Sequence, residues 1–318
     1  MAEVALRPAT LDDASFVADV ATAVTPERPA DPVEMRYGWQ NAPRSWVEER
    51  WIATIDGRPA GYATHAHPRW DLVDKRFGTV SGDLLPADRS AHSLDVVLAK
   101  MEDRSRLDGA ATLRARANED DPLKISVITG RGYREDRRGR RWLLDLVAER
   151  ARILEMTERS RERMRRQGIR LLTLADDPDP EKHVKVWRLS EEATLDVPTT
   201  APHVPESFED HMRWLRSPGM RLDRFWIARD GDEIVGCSVL GYPPVRGLVI
   251  TEWTATSRSA RGRGIARAVK CETLAQAITL GVTRMRTGND AANAPILHIN
   301  ETMGYRPSVG AIDFLKPA

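Results

Sequence analysis

Two copies of one α/β domain in tandem are what this sequence predicts, and three observations predict it. Trp51-Ile52-Ala53 returns as Trp226-Ile227-Ala228, 175 residues later; each is followed by an Asp-Gly pair (Asp56-Gly57, Asp230-Gly231) and then by Gly61 or Gly236. Arg131-Gly132-Tyr133-Arg134 returns as Met303-Gly304-Tyr305-Arg306, 172 residues later. The landmarks keep their order and nearly their spacing, which marks an internal repeat. Strand-like and helix-like stretches also alternate, the α/β pattern. The 318 residues suit two domains of about 150 each.

The second half shows its elements most plainly. Phe225 to Ala228 and Ile234 to Leu240 flank the Asp-Gly pair and read as a hairpin. Leu248 to Thr256 is rich in β-branched residues and reads as a further strand. A Gly/Arg loop follows. Ile265, Ala268, Val269 and Ile278 then give a helix its apolar face. Thr283 to Thr287 suits another strand. Pro295 to Met303 suits a short helix, with Asn293 near its start and Gly304 as its stop. Between the halves, Leu146 to Gln167 is dense in Arg and Glu. Val147, Ile153, Leu154, Met156 and Met164 fall at helical spacing there, so an amphipathic connecting helix is expected. Its basic cluster, Arg161 to Arg166, is accompanied by Glu158 and Glu162, the pattern of a solvated face. The expected organisation is a first domain at 1–145, a connecting helix at 146–168 and a second domain at 169–318.

Composition excludes several classes of function. The net charge is +1, from 48 basic and 47 acidic residues, which is no footprint for general nucleic-acid binding. The basic set is 41 arginines against seven lysines, a compositional bias with no mechanism attached. No apolar run is long enough to span a membrane. The segment Met1 to Arg7 carries Glu3 and no apolar stretch, so no secretory leader is expected. Cys237 and Cys271 are too few for a disulfide framework or a cysteine zinc site. A reducing, cytoplasmic compartment is the expectation.

The segment that carries chemistry is Arg261-Gly262-Arg263-Gly264-Ile265-Ala266, between a strand ending near Thr256 and a helix starting near Ile265. Glycines let the backbone approach a ligand closely, and N–H groups at a helix N-terminus attract phosphate. Arg261 and Arg263 add charge for phosphate pairing. A pyrophosphate-like anion is the expected occupant. A Walker A loop would need Gly-Lys-Ser/Thr in register, and a Rossmann loop a third glycine; neither is present.

With the preceding Trp253-Thr254-Ala255-Thr256, this Arg-x-x-Gly-x-Ala run resembles the acyl-CoA loop of the GNAT acetyltransferases. The stretches Thr287 to Asn293 and Ile299-Asn300-Glu301-Thr302-Met303-Gly304-Tyr305 resemble the strand and helix that follow it there, in a form common among tandem GNAT proteins of actinobacteria. Leu171 to Pro198 resembles that subgroup's front end. The likeness covers nearly all of the second half and, more weakly, the first. It implies two tandem GNAT-like domains, each a mixed, mostly antiparallel sheet flanked by helices. It also implies acetyl-CoA as donor co-substrate, without a metal.

The roles follow from the resemblance. Backbone amides of Arg261, Gly262, Arg263, Gly264, Ile265 and Ala266 would hold the pyrophosphate. Thr254, Ala255 and Thr256 would pair with the pantetheine arm, and a backbone N–H there would stabilise the oxyanion. Asn289 lies in the following segment and is taken with the cofactor site. Asn293 would reach pantetheine, or cap the short helix, or both. Glu252 is the candidate base, placed by period-two alternation on one strand face with Thr254 and Thr256. A structural or substrate-binding carboxylate is the other reading of Glu252. The family often has a tyrosine four residues before the Gly-aromatic pair to protonate the leaving thiolate; here that position is Asn300. Asn300 offers a hydrogen bond but no useful proton. Tyr305 is the nearest phenol, with packing as its alternative role.

An offset of 172 matches Gly132 with Gly304 and Arg89 with Arg261. Gly264 then corresponds to His92, Ala266 to Leu94, Glu252 to Val80, Asn293 to Asp121 and Asn300 to Ile128. The first half therefore reads as a degenerate copy that shapes the acceptor site or replaces a dimer partner. His65 and His67 share a strand face without a third metal ligand nearby in sequence. His298 reads as a groove residue and Cys271 as packing. Glu191, Glu192 and Asp196 precede Val197-Pro198, where acceptors of this family bind, and Asp196 is the candidate for attracting a cationic amine. The expected activity is acetyl transfer to a primary amine of a small molecule, by direct attack in a ternary complex, in the second half only. The rival is a non-catalytic acyl-CoA-binding sensor or partner-binding module. Neither nucleic acid nor membrane is an expected partner, and a monomer or weak dimer is expected.

Overall fold

The computed structural model describes residues 3–318; Met1 and Ala2, the first residues of the segment searched above for a leader, lie outside them. The first half runs β1 (Val4–Pro8), α1 (Ala14–Val24), α2 (Pro32–Gln40), β2 (Trp46–Ile55), β3 (Arg58–Pro68), β4 (Phe77–Leu84), α3 (Ala91–Leu107), β5 (Thr112–Asn118), α4 (Pro122–Gly130) and β6 (Arg134–Asp145). Helix α5 (Arg150–Arg166) connects to β7 (Ile169–Thr173), α6 (Lys182–Thr194), α7 (Phe208–Leu215), β8 (Phe225–Asp230), β9 (Glu233–Gly241), β10 (Val249–Thr256), α8 (Ile265–Thr279), β11 (Arg284–Asp290), α9 (Ala294–Thr302) and β12 (Arg306–Pro317). The bounds of β4, β5, α4 and β6 fall 172 residues before those of β10, β11, α9 and β12.

All twelve strands join one sheet, in the order β1-β2-β3-β4-β5-β12-β6-β11-β10-β9-β8-β7. Only β4–β5 and β10–β11 pair in parallel, so each half is mixed and mostly antiparallel. The last strands are exchanged. Strand β12 pairs with β5 of the first half, and β6 pairs with β11 of the second. Ile312 and Phe314 of β12 accordingly belong to the first half's core, with Leu94, Leu98, Leu113 and Ile128. Trp142 and Leu144 of β6 pack with Cys271, Leu274 and Met285 of the second.

Local chemistry explains the turns. Asp56 and Gly57 both have positive φ and close the β2–β3 hairpin as a two-residue turn. In β8–β9 the turn residues are Gly231 and Asp232, one place later than the sequence pattern implies. Helix α5 buries Ile153, Thr157, Ser160 and Met164 against its neighbours and leaves its charged side to solvent. There Arg165 and Arg166 pair with Glu162, while Arg161 reaches Glu272 of α8 at 2.7 Å.

Candidate active site

Parallel pairing of β10 with β11 stops after Val249–Met285 and Ile250–Arg286. Beyond it the strands part, and the wedge opens into a cavity of about 1580 Å³. The loop at 261–266 forms one wall. Gly262 (φ 76°) and Gly264 (φ 91°) hold left-handed backbone that side-chain-bearing residues resist. Gly264 sits at the N-cap of α8 without a side-chain cap. Among the described residues, the N–H groups of 262–267 have no hydrogen-bond partner. Six unpartnered donors at a helix N-terminus are what an anion would fill. Helix α5 fixes the loop from behind: Gln167, just past its end, donates to the Arg263 carbonyl at 3.1 Å, and Arg163 to that of Gly262 at 3.4 Å.

The loop's own arginine side chains do not serve as expected. Arg263 turns away to Asp230 (2.6 Å) and Gln167 (3.0 Å). Arg261 pairs with Asp196 at 2.5 Å. Arg159, Arg163 and Arg267 also line the cavity on this side. The α5 pair was missed because a charged helix face reads as solvated. Asp196 also binds Arg258 at 2.7 Å, and these partners hold its carboxyl well below the usual range. Its charge is thus committed within the protein, and the expectation that it draws in an amine is corrected. Glu192 is likewise occupied, accepting the Arg258 N–H at 2.6 Å.

Thr254 and Thr256 line the cavity; Ala255 points into the core behind them. Thr254 Oγ1 meets Ser238 Oγ at 3.0 Å, whereas Thr256 Oγ1 is buried without a partner. The strand edge facing β11 has lost its ladder and leaves backbone groups open to a ligand. Asn293 occupies the N-cap of α9 but makes no capping bond, so its amide faces the cavity uncommitted. Asn289 lines the cavity, and its Oδ1 accepts from Asn300 Nδ2 at 2.7 Å.

Glu252 lies at a β-bulge. Thr251 pairs with Leu240 and Trp253 with Val239, leaving Glu252 as the extra residue. Strict alternation therefore breaks there, and the simple shared face with Thr254 and Thr256 is corrected. A Cβ on Gly241 would come within 2.5 Å of Glu252 Oε1, so the glycine makes room for the carboxylate. Glu252 is open to the cavity yet ringed by protein. That partial burial raises its carboxyl above the usual range; Arg286 opposes the shift and Glu34 adds to it.

The two residues weighed for the leaving thiolate stand elsewhere. Asn300 is fully buried behind the cavity wall, where it orients Asn289. Tyr305 is in the core with its hydroxyl 3.7 Å from Met285 Sδ, and burial pushes its phenol up. It packs and does not face the cavity. Lys270 of α8 was missed: it is 1% exposed, lines the cavity, and burial lowers its ammonium to about 8. An amine near that value exchanges its proton readily at neutral pH.

Residues 186–305 match the acetyltransferase (GNAT) family. That match spans most of the second half. No curated protein matches the chain by sequence. Solved structures match it in fold. A tandem GNAT protein from the clavulanic acid biosynthesis pathway superposes with a TM-score of 0.74 at 17% identity, covering 99% of this chain and 98% of that one. A GCN5-related N-acetyltransferase from Sphaerobacter thermophilus gives 0.69 at 18% identity, covering 99% and 95%. A glucosamine N-acetyltransferase region of a fungal multi-domain β-N-acetylglucosaminidase gives 0.72 at 13%, covering 99% and 38%. The fold is a tandem GNAT fold.

In the first GNAT-like half the corresponding wedge is filled. Arg89 pairs with Asp83 at 2.7 Å and with Asp121, while Lys124 reaches Asp83 at 3.0 Å and the Gly82 carbonyl at 2.9 Å. Helix α3 closes its own N-terminus with a Ser90–Ser93 capping box, and Asp121 caps α4 through the Lys124 N–H. The first half instead braces the second. Tyr37 donates to the Arg213 carbonyl at 2.7 Å, and Asp31 accepts from Val245 (2.6 Å) and Arg246 (2.9 Å). His65 and His67 gain a third neighbour that sequence proximity hid: Asp108 Oδ2 lies 3.5 Å and 3.8 Å from them. The His67 Nδ1 is 2.8 Å from the Pro68 carbonyl, which leaves Nε2 facing Asp108.

Proposed function

We propose that the GNAT domain transfers an acetyl group from acetyl-CoA to a primary amine by direct attack in a ternary complex. In this reading the second half supplies the only donor site. The six unpartnered amides of 262–267 carry the proposal: they supply donors for a pyrophosphate at the mouth of a cavity that runs on to Glu252. Thr254 to Thr256 and the amides of Asn289 and Asn293 would align pantetheine along the parted strands. Glu252 would take a proton from the acceptor ammonium, directly or through water. The amine nitrogen then bonds to the thioester carbonyl carbon. A β10 backbone N–H holds the oxyanion; as the C–S bond breaks to release the CoA thiolate, the nitrogen gives up its second proton to water. Lys270 or water returns a proton to the sulfur. Holding donor and acceptor together supplies the proximity term. The protein is read as soluble and cytoplasmic; among the described residues no helix is long and apolar enough to cross a membrane. The internal pair would substitute for a homodimer, giving a monomer or weak dimer.

Calorimetric titration with acetyl-CoA tests the donor site. One site per chain, abolished by Gly264→Trp, is the expected result. Two sites, or none, would overturn it.

A further inference from the structure

Eleven of the residues lining the cavity are Arg or Lys, against four acids. One cationic set, Arg159, Arg163 and Arg267, belongs to the helices beside the phosphate-type loop. A second set comes from both halves: Arg116 on β5 and Arg141 on β6 line the cavity, and Arg28 before α2 and Arg286 on β11 stand beside Arg141.

The two sets lie on opposite faces of the sheet. Met285 of β11 and Trp142 and Leu144 of β6 pack with α8. Arg286 and Arg141 alternate with them, so their side chains project from the other face. Glu252, which feels the charges of Arg286 and Glu34, lies against Gly241, next to the α8-facing Leu240 on β9, and so belongs to that same side. CoA phosphates seated at the α8 N-terminus would be on the wrong face to meet this second set.

These guanidiniums are poorly neutralised. Arg28 and Arg141 donate to the same neutral oxygen, Asn118 Oδ1, at 3.4 and 2.8 Å. Arg141 otherwise reaches only the Val309 and Gly310 carbonyls. Arg286 has a buried Nε without a partner. Arg116 shares the single carboxylate of Asp313 with Arg114. Arg28 has only the half-exposed Glu27, at 3.8 Å. Burial and the repulsion of neighbouring arginines lower the Arg141 pKa to about 10 and shift Arg28 the same way; burial shifts Arg286 likewise, against the attraction of Glu252. Like charges gathered out of water are costly unless an anion joins them.

We propose that this cluster is the acceptor's anchor, and that the acceptor is an amine which also carries an anionic oxyacid group, carboxylate or phosphate. The inference rests on the acetyl-transfer reading. It assigns the amine to Glu252 and the anion to Arg28, Arg116, Arg141 and Arg286. Guanidinium forks match both oxyacids, and pairing fixes the amine's position as well as its affinity. It also replaces the acid-lined acceptor site that the sequence suggests with a basic one.

The test compares matched acceptors in a CoA-release assay: aminocarboxylates, aminoalkyl phosphates, and the neutral esters or amides of each. At least a tenfold higher kcat/KM for one anionic series over its neutral counterparts is expected. Arg141→Gln and Arg286→Gln should shrink that ratio to near unity while acetyl-CoA still binds by calorimetry. Equal use of charged and neutral acceptors would overturn the proposal, as would an unchanged ratio in both variants. A readout without turnover separates this from failure of the enzyme reading. Succinate and inorganic phosphate are titrated into the CoA-bound wild type and the two variants. Binding of one or both to wild type, weakened tenfold or more in the variants, supports the anion site even if no acceptor is acetylated. No binding of either overturns it.

Discussion

The two halves share a fold and differ in what they leave unfinished. Among the described residues the backbone donors at the start of α8 have no partners; at the start of α3 the Ser90–Ser93 capping box satisfies two of them. Asn293 holds its amide free, whereas Asp121, 172 residues earlier, is locked to Arg89 and the Lys124 N–H. Buried Lys270 corresponds to Leu98, and Glu252 to Val80. The comparison teaches that a binding site here is a set of unmet hydrogen bonds and charges, held open at a cost in stability. The copy without such a set has used the same positions to stabilise itself.

The sharpest way to break this contrast is Glu252→Gln. Turnover should fall by about 10²–10⁴-fold, the usual worth of a general base, while acetyl-CoA binding persists. Because the folded-state pKa of Glu252 is raised, the base form disappears as pH falls through a value above the ordinary carboxylate range. The acidic limb of kcat/KM should lie there in wild type and vanish in the variant. A wild-type activity unaffected by the change would move the base elsewhere.

Writing the first half's residue into the second is the next largest test. Gly264→His imposes a side chain at φ 91° and crowds Arg163, whose guanidinium lies about 3.0 Å from a Cβ there. Acetyl-CoA affinity should drop at least tenfold by calorimetry, and the strain should lower the melting temperature by a few degrees, on the order of 1–3 kcal/mol.

The opposite pattern should follow Asp83→Ala. It strips the shared partner from Lys124 and Arg89 and should cost about 3–5 kcal/mol by denaturant unfolding, with acetyl-CoA affinity unchanged. Burial alone would raise the Asp83 carboxyl, but Lys124 and Arg89 hold it below its ordinary value. Its contribution is therefore present above the unfolded pKa and lost as pH falls through the depressed folded one. The wild type should lose more stability than the variant on acidification.

The smallest effects should come from the helix-start pair. Asp121→Ala should cost about 1 kcal/mol or more of stability through its cap and its Arg89 pairing. Asn293→Ala, which breaks no bond within the protein, should leave stability within about 0.5 kcal/mol and raise the acetyl-CoA KM several-fold. Equal stability losses would erase the distinction between the two starts.

Much of this was legible in the sequence because it is local. The repeat spacing, the hairpins, the glycine loop and the short helix ending at Gly304 each depend on a few neighbouring residues. What was not legible is pairing across distance. Asp196 and Arg261 are 65 residues apart, and nothing in either neighbourhood announces their bond. The bulge at Glu252 is set by its partner strand β9. Charged residues on a helix face read as solvated, which hid Arg159 and Arg163. Lys270 carried a usable signal, since it falls where the first copy has the core residue Leu98. The exchange of β6 and β12 left none, because two repeats of one strand fit either place.

That exchange has a consequence for how the chain comes into being. The first half's core needs Ile312 and Phe314, and they follow β5 by nearly the whole of the second half. As the polypeptide leaves the ribosome, the edge of β5 cannot gain its native partner until β12 has emerged. The part made first is thus completed last, and a ribosome that stops short of β12 leaves the amino-terminal domain, rather than the carboxyl-terminal one, without its closing strand.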